Sequence, residues 1–314
     1  MSLRHELDHY LIVRRNLGYD LGTSERVLRR FVDFAETEQA QHITTSLLLR
    51  WQDAFGHAGR QTWAARFGMV RLFAQWLNGL DPAHEVPSRG LIPSRYRRVR
   101  PYIYSSTEIA TIVEVAAELP SVYGMRGLTC STLFGLIAAT GLRIREALGL
   151  DAADVDLDDG VLRIRRGKLG KERLIPLDDS VTARLLSYAG ERDRLLGRTP
   201  EPFFVTCDGD RLGDCGARYN FAQVCQQIGL RDAQQYRRHG RGPRIHDLRH
   251  SFAARTIIDW YRTGKDPARE MIKLTTYLGH TSPENTYWYI EAVPELLELA
   301  SQRIVGAQDE GGRQ

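Results

Sequence analysis

The sequence lacks any long hydrophobic run. Its 314 residues contain no stretch of about 18 uncharged apolar residues, roughly the length that a helix needs to cross a bilayer. The first residues, Met1-Ser2-Leu3-Arg4-His5-Glu6, also lack the apolar core of a signal peptide. We therefore expect a cytoplasmic protein without a membrane partner.

Cysteine is scarce, and its spacing argues against two kinds of site. The four cysteines form no Cys-x-x-Cys pair, so they offer neither the paired ligands of a typical zinc site nor an evident disulfide framework. We interpret them as free thiols in buried or half-buried positions. They are Cys130, Cys207, Cys215 and Cys225.

Excess charge is also small, but it is unevenly placed. The net charge is +4, and residues 1–86 hold equal numbers of arginines and acidic residues. Residues 87–104 hold five arginines and no acid, and a second group of arginines precedes His246. Both groups could neutralise DNA phosphates, although a solvated basic surface is the other interpretation. The candidate DNA-binding residues are Arg89, Arg95, Arg97, Arg98, Arg100, Arg237, Arg238, Arg241 and Arg244.

The length suggests two domains, and the hydrophobic periodicity separates them. Residues 1–86 show four amphipathic patterns with apolar residues three and four apart, which predict an all-α domain. Within it, Ser24 is the expected cap of the second helix. Residues 87–104 lose this periodicity and gain prolines among the arginines, which predicts a basic linker.

A second domain is predicted over 105–306, mainly α with a small β-hairpin or sheet. Ser105 and Glu108 form a capping-box pattern, and 128–139 is apolar on nearly all sides, as a buried helix would be. Two short strand patterns, 161–165 and 173–177, predict the hairpin. Later helices are expected at 179–193, 215–228, 245–261 and 294–306, and a disordered tail at 307–314.

Tyrosines near the C-terminus could serve as reagents. The segment Tyr277 to Tyr289 predicts a helix that ends at Gly279, followed by a short helix carrying tyrosines at its far end. A tyrosine hydroxyl is a poor nucleophile until cations and a base assist it. The chain offers His246 and Arg249 on one helical face, and Arg143 where a buried helix breaks at a glycine.

These residues occur in four separated motifs that resemble those of the tyrosine recombinase family, the phage integrases and Xer-type resolvases. The motifs are Thr140-Gly141-Leu142-Arg143 with Glu146, Gly167-Lys168 with Lys171-Glu172-Arg173, His246-(x)2-Arg249-His250, and Leu278-Gly279-His280 followed by Tyr289. The resemblance covers about 190 residues. It implies an N-terminal core-binding domain, an α+β catalytic domain, double-stranded DNA as partner and tetramers on DNA. Helix 294–306 could cover its own domain or dock on a neighbouring protomer, and a plain helical packing or oligomerisation domain is the other interpretation of residues 1–86.

The resemblance also implies a role for each candidate catalytic residue. Tyr289 would attack the phosphate to give a 3′-phosphotyrosyl link, and Arg143 and Arg249 would clamp the phosphate. His246 would be the general base and Lys168 the general acid. His280 would orient the phosphate or a neighbouring group, and Glu146 would support the arginine or a helix rather than act as a reagent. No cofactor or metal is required, because side chains supply the cations.

Several alternatives remain open at the level of sequence. Lys171 could replace Lys168, and His246 with His250 could bind a metal, although the glutamate of a His-Glu-x-x-His motif is missing. Tyr287 and Tyr289 lie about 200° apart around a helix and cannot both face the phosphate. The resemblance selects Tyr289 by its spacing from His280, and Tyr287 is then assigned to packing together with Trp288. A type IB topoisomerase-like enzyme and a catalytically idle DNA-binding protein are the rival functions.

Overall fold

The structure of the chain is a computed structural model that describes residues 2–94, 100–121, 123–165, 172–232, 242–279, 282, 284–293, 295–299 and 301. The chain divides into two compact units, one up to residue 99 and one from residue 100. This division falls inside the segment that the sequence marks as a linker.

Four helices make up the N-terminal unit: α1 (Leu3–Asn16), α2 (Gly22–Thr37), α3 (Thr45–Ala54) and α4 (Arg60–Asn78). Their apolar faces meet in one core. The expected cap at Ser24 is wrong, because α2 begins earlier, at Gly22, whose backbone N–H donates to the side chain of Asp20. Ser24 therefore lies inside the helix.

Three helices open the C-terminal unit: α5 (Ser106–Ala117), α6 (Met125–Thr140) and α7 (Ile144–Leu148). The capping box at the start of α5 is confirmed, since Ser105 Oγ accepts from the Glu108 backbone and Glu108 Oε2 accepts from the Ser105 backbone. Helix α6 is buried on almost all sides, as its uniform apolar composition predicts.

A small antiparallel sheet follows, with strands β1 (Val155–Asp156), β2 (Val161–Ile164) and β3 (Arg173–Pro176) in that order. The β2–β3 pair, with Ile164 opposite Arg173, is the predicted hairpin. The acidic segment 151–159 precedes this hairpin. Part of it is strand β1, because Val155 and Asp156 pair with Leu162 and Val161 of β2.

Five further helices follow among the described residues: α8 (Asp179–Leu196), α9 (Asp214–Gln227), α10 (Ile245–Arg262), α11 (Pro267–Leu278) and α12 (Glu284–Ala292). Helices α10, α11 and α12 join in an apolar cluster of their own, which includes Leu278, Tyr289 and Leu296. Residues 295–299 and 301 are also helical. The rest of the predicted segment 294–306, and the tail 307–314, lie outside the described residues. The predicted fold class, mainly α with a small sheet, is confirmed.

Helix hydrophobicity and cysteine burial were both predicted from the composition. None of the helices in the described part of the chain is long and apolar enough to cross a membrane. All four cysteines are free thiols, as predicted. Cys130 and Cys225 are buried, but Cys207 and Cys215 are exposed, so the expectation of burial is wrong for those two.

Candidate active site

The C-terminal ends of two helices lie at the candidate site. Helix α6 ends at Gly141 and α11 ends at Gly279, and both glycines have φ of 63°, the left-handed conformation that favours glycine. A Cβ at Gly141 would also lie 2.5 Å from the ring of Phe252. Glycine is therefore required there for space as well as for backbone conformation.

Arg143 lies directly after the first of these turns and reaches the second. Its Nη2 donates to the Gly279 carbonyl at 2.9 Å, and its Nη1 donates to Glu146 Oε1 at 2.8 Å. Its backbone N–H donates to the other oxygen of Glu146. The side chain remains 24% exposed, so part of the guanidinium is open to a ligand.

Glu146 is held by a second arginine that sequence reasoning left without a role. Both oxygens of Glu146 accept from Arg173, at 3.1 and 2.8 Å, and Arg173 Nε donates to the Tyr277 carbonyl at 2.9 Å. Burial alone would raise the pKa of Glu146. The hydrogen bonds from Arg173 and from the Arg143 backbone outweigh that effect and lower the pKa to about 2. Glu146 is thus a permanent anion that supports Arg143, as the sequence predicted.

Arg249 is almost completely buried at the same turns. Its Nη1 donates to the Gly141 carbonyl at 2.6 Å and its Nη2 to the Leu278 carbonyl at 2.7 Å. Burial and the nearby Arg143 lower the pKa of Arg249 to about 10, so the guanidinium keeps its charge at neutral pH. The two guanidinium groups therefore meet at the Leu278–Gly279 turn.

His246 lies one turn before Arg249 in sequence, at the start of α10. The imidazole is half-buried. Burial and the charges of Arg249 and Arg244 lower its pKa to about 4. Burial disfavours the charged imidazolium, and the two arginines repel its positive charge. His246 is therefore neutral near pH 7 and has a lone pair that can accept a proton.

Tyr289 faces this region from α12, and its partner is a different histidine. The Tyr289 hydroxyl lies 3.1 Å from Nδ1 of His250, and the Tyr289 side chain is only 2% exposed. Tyr287 is 45% exposed. The two tyrosines therefore differ in burial, as their spacing suggested, but the assignment of Tyr287 to packing is wrong. Trp288 does pack against the apolar cluster of α10–α12.

Some of the residues singled out from the sequence cannot be placed. Lys168, with its alternative Lys171, and His280 lie outside the described residues. Of the candidate DNA-binding arginines, Arg89, Arg100 and Arg244 are described and exposed, and Arg244 Nη2 also pairs with Asp247 at 3.2 Å. The others lie outside the described residues, namely Arg95, Arg97, Arg98, Arg237, Arg238 and Arg241.

Among the residues that the structure describes, one group of His, Asp and His has side chains close enough for a metal: His42, Asp81 and His84 of the N-terminal unit. Nδ1 of His84 accepts a hydrogen bond from the Ile43 backbone at 3.1 Å, so the proton of the neutral ring is on Nε2. A metal would have to displace that proton or break that bond. The group therefore fits a structural role better than a metal site.

Comparison with known proteins places these features in one family. The model of the phage integrase family matches residues 105–295. The integrase/recombinase y4rB of Sinorhizobium fredii is 39% identical over 96% of this chain and 97% of its own length. The tyrosine recombinase XerD of Staphylococcus epidermidis is 26% identical over 92% of this chain and 93% of its own.

Among solved structures, the fold is similar to that of the XerH site-specific recombinase bound to its palindromic difH substrate in a post-cleavage complex. The TM-score is 0.59 at 19% sequence identity, over 90% of this chain and 78% of that one. The similarity supports the fold, which the hairpin and the α10–α12 cluster already indicated.

Proposed function

This chain belongs to the phage integrase family and is a tyrosine recombinase, an enzyme that transfers DNA strands in site-specific recombination, and we propose that Tyr289 is its nucleophile. The observation that carries the proposal is a convergence of groups. Arg143 and Arg249 donate to neighbouring carbonyls of one turn, and Tyr289 contacts the histidine that follows Arg249.

The proposed reaction uses only groups that the chain supplies. The Tyr289 oxygen attacks the phosphorus of a DNA phosphodiester, the bond to the 5′-oxygen breaks, and a 3′-phosphotyrosyl link remains. A 5′-hydroxyl of a second strand then attacks that link and releases the tyrosine. Because one ester replaces another, the energy of the phosphodiester is conserved and no nucleotide is consumed.

Arg143 and Arg249 are proposed to bind the nonbridging oxygens of this phosphate. In the DNA-free site their donors are turned towards backbone carbonyls and Glu146. Preorganised charges of this kind stabilise the charge that develops on phosphate oxygens in the transition state. The Glu146–Arg173 pair holds Arg143 in place for this role.

Three further residues complete the proposed machinery. Lys168 is proposed to protonate the leaving 5′-oxygen, and His280 to orient the phosphate. His246 is proposed as a proton-transfer group, because its ring is neutral near pH 7 and has a lone pair that can accept a proton.

Double-stranded DNA is the proposed partner of both units. The N-terminal unit, up to about residue 86, is proposed as a core-binding domain and 87–104 as a linker along the DNA backbone, since Arg89 and Arg100 are exposed. Exchange between two duplexes requires four strand cleavages and therefore four nucleophiles. We propose a tetramer on DNA, in which the segment 294–306 docks on a neighbouring protomer.

The roles of the arginines can be tested on nicked suicide duplexes taken from the flanks of the gene. Arg143→Ala and Arg249→Ala should each lower the single-turnover rate of adduct formation by about 10²-fold or more. Arg194→Ala is the matched control, because Arg194 is an exposed arginine of α8 paired with Glu191. Variants that cleave at the wild-type rate would refute the phosphate-binding roles.

A second experiment addresses the rival topoisomerase-like activity. Wild-type protein should join a cleaved strand to a second duplex carrying the same site. Relaxation of a plasmid without any strand exchange between two sites would favour the rival.

A further inference from the structure

His250 occupies a position that the motif comparison left without a role. It lies on α10 directly after Arg249, and its Nδ1 is 3.1 Å from the Tyr289 hydroxyl on α12. That separation is within the range in which a general base takes up a proton. Because Tyr289 is 2% exposed, its hydroxyl has little access to bulk water as a proton acceptor.

The ring of His250 is fixed on two sides. His246, one helical turn earlier, lies edge-on to it with ring centroids 4.7 Å apart, and Trp288 lies edge-on with centroids 5.6 Å apart. Edge-on contacts of this kind are a favourable arrangement for aromatic rings. In this arrangement Nδ1 faces the Tyr289 hydroxyl.

We propose that His250 is a catalytic residue that accepts the Tyr289 proton during strand cleavage. This inference rests on the proposed function of Tyr289 as the nucleophile. It assigns to His250 the deprotonation of the nucleophile, which the family resemblance had placed on His246.

The step balances with groups already named. His250 begins as the neutral tautomer with its proton on Nε2, and the Tyr289 hydroxyl donates to Nδ1. The O–H bond breaks as the tyrosine oxygen bonds to phosphorus. The transferred proton converts His250 to an imidazolium. The bond from phosphorus to the 5′-oxygen breaks, and that oxygen takes a proton from a separate acid, for which Lys168 is the proposed donor. In the reverse reaction the imidazolium returns its proton to the tyrosine.

The test uses the full chain and two substitutions of His250 on a suicide duplex. His250→Ala removes the acceptor, whereas His250→Asn keeps a hydrogen-bonding side chain that cannot take up a proton at neutral pH. Both should lower the single-turnover rate of adduct formation by about 10²-fold or more, the usual contribution of general acid–base catalysis. Added imidazole should restore part of the rate of His250→Ala. Arg194→Ala, at an exposed residue of α8 paired with Glu191, should cleave like the wild type.

Two results would overturn the proposal. One is a His250→Asn rate within a few-fold of the wild type, which would show that the histidine only holds the hydroxyl. The other is a His250→Ala rate that imidazole leaves unchanged, although duplex binding and thermal unfolding match the wild type. Should His250→Ala not fold, the His250→Asn rate decides.

A failure of the underlying function is separately visible. If Tyr289→Phe still forms the adduct, then Tyr289 is not the nucleophile, whatever the His250 variants show.

Discussion

Replacing Glu146 by glutamine should destabilise the C-terminal unit by about 3 kcal/mol at neutral pH. The pKa of Glu146 falls from 4.5 to about 2, and each tenfold change in an ionisation constant corresponds to about 1.4 kcal/mol. The side chain is only 3% exposed, so solvent screening is slight. The expected loss in the free energy of unfolding lies within the roughly 3–5 kcal/mol lost when one partner of a buried ion pair is removed.

The pH dependence of this effect follows from the direction of the change. A carboxyl group whose pKa is lowered by folding stabilises the protein fully above pH 4.5, and that contribution disappears as the pH falls towards about 2. The difference between wild type and Glu146→Gln should therefore shrink to less than half of its neutral value at about pH 3.

The assay is urea unfolding of the full chain. Unfolding is monitored by the hydrogen exchange of peptides from α10, which is measured by mass spectrometry. This readout separates the C-terminal unit from the N-terminal one. Glu114→Gln, at an exposed glutamate of α5, should change the free energy of unfolding by no more than about 0.5 kcal/mol. A Glu146→Gln effect below about 1 kcal/mol, or one equally large at about pH 3, would refute the reasoning.

Other predictions concern the charges, the turns and the thiols. In the DNA-free protein, the NMR titration of His246 should have its midpoint at about 4; a midpoint near 6.5 would contradict the electrostatic account of the site. Gly141→Ala should lower the free energy of unfolding by at least about 1 kcal/mol. Gly190→Ala, in an open helical position, should raise it by about 0.5–1 kcal/mol. Equal changes in the two variants would contradict the conformational argument for Gly141. A maleimide should label Cys207 and Cys215 in the native chain and the two buried thiols only after unfolding; rapid labelling of all four would speak against the burial described.

Local patterns in the sequence predicted the fold well where a single segment carries the signal. The capping box at Ser105 and the end of α11 at Gly279 depend on neighbouring residues, and both were found as expected. Strand β1 was missed because two residues cannot show an alternating pattern. Its existence depends on pairing with β2.

The candidate site was predictable as a set of residues but not as a network of contacts. Arg173 was visible in a motif, yet its partner Glu146 lies 27 residues away and the pair forms only when the sheet packs near α7. His250 was visible one turn after His246. Its contact with Tyr289 depends on how α12 packs against α10, 39 residues further along the chain.

Periodicity also limits what can be said of a single side chain. The angle between Tyr287 and Tyr289 around a helix predicted different faces, and their burial differs accordingly. The same angle does not say whether the second face meets protein or solvent. The packing assignment of Tyr287 therefore had no support from the angle, and Tyr287 is exposed.

The measurement that tests the central claim most directly is the trapping of covalent protein–DNA adducts by the wild type and by Tyr289→Phe on suicide duplexes from the flanks of the gene. We expect an adduct with the wild type, joined through a 3′-phosphotyrosyl bond, and none with Tyr289→Phe. Tyr287→Phe is the matched control and should retain the adduct. An adduct that persists in Tyr289→Phe would contradict the assignment of the nucleophile.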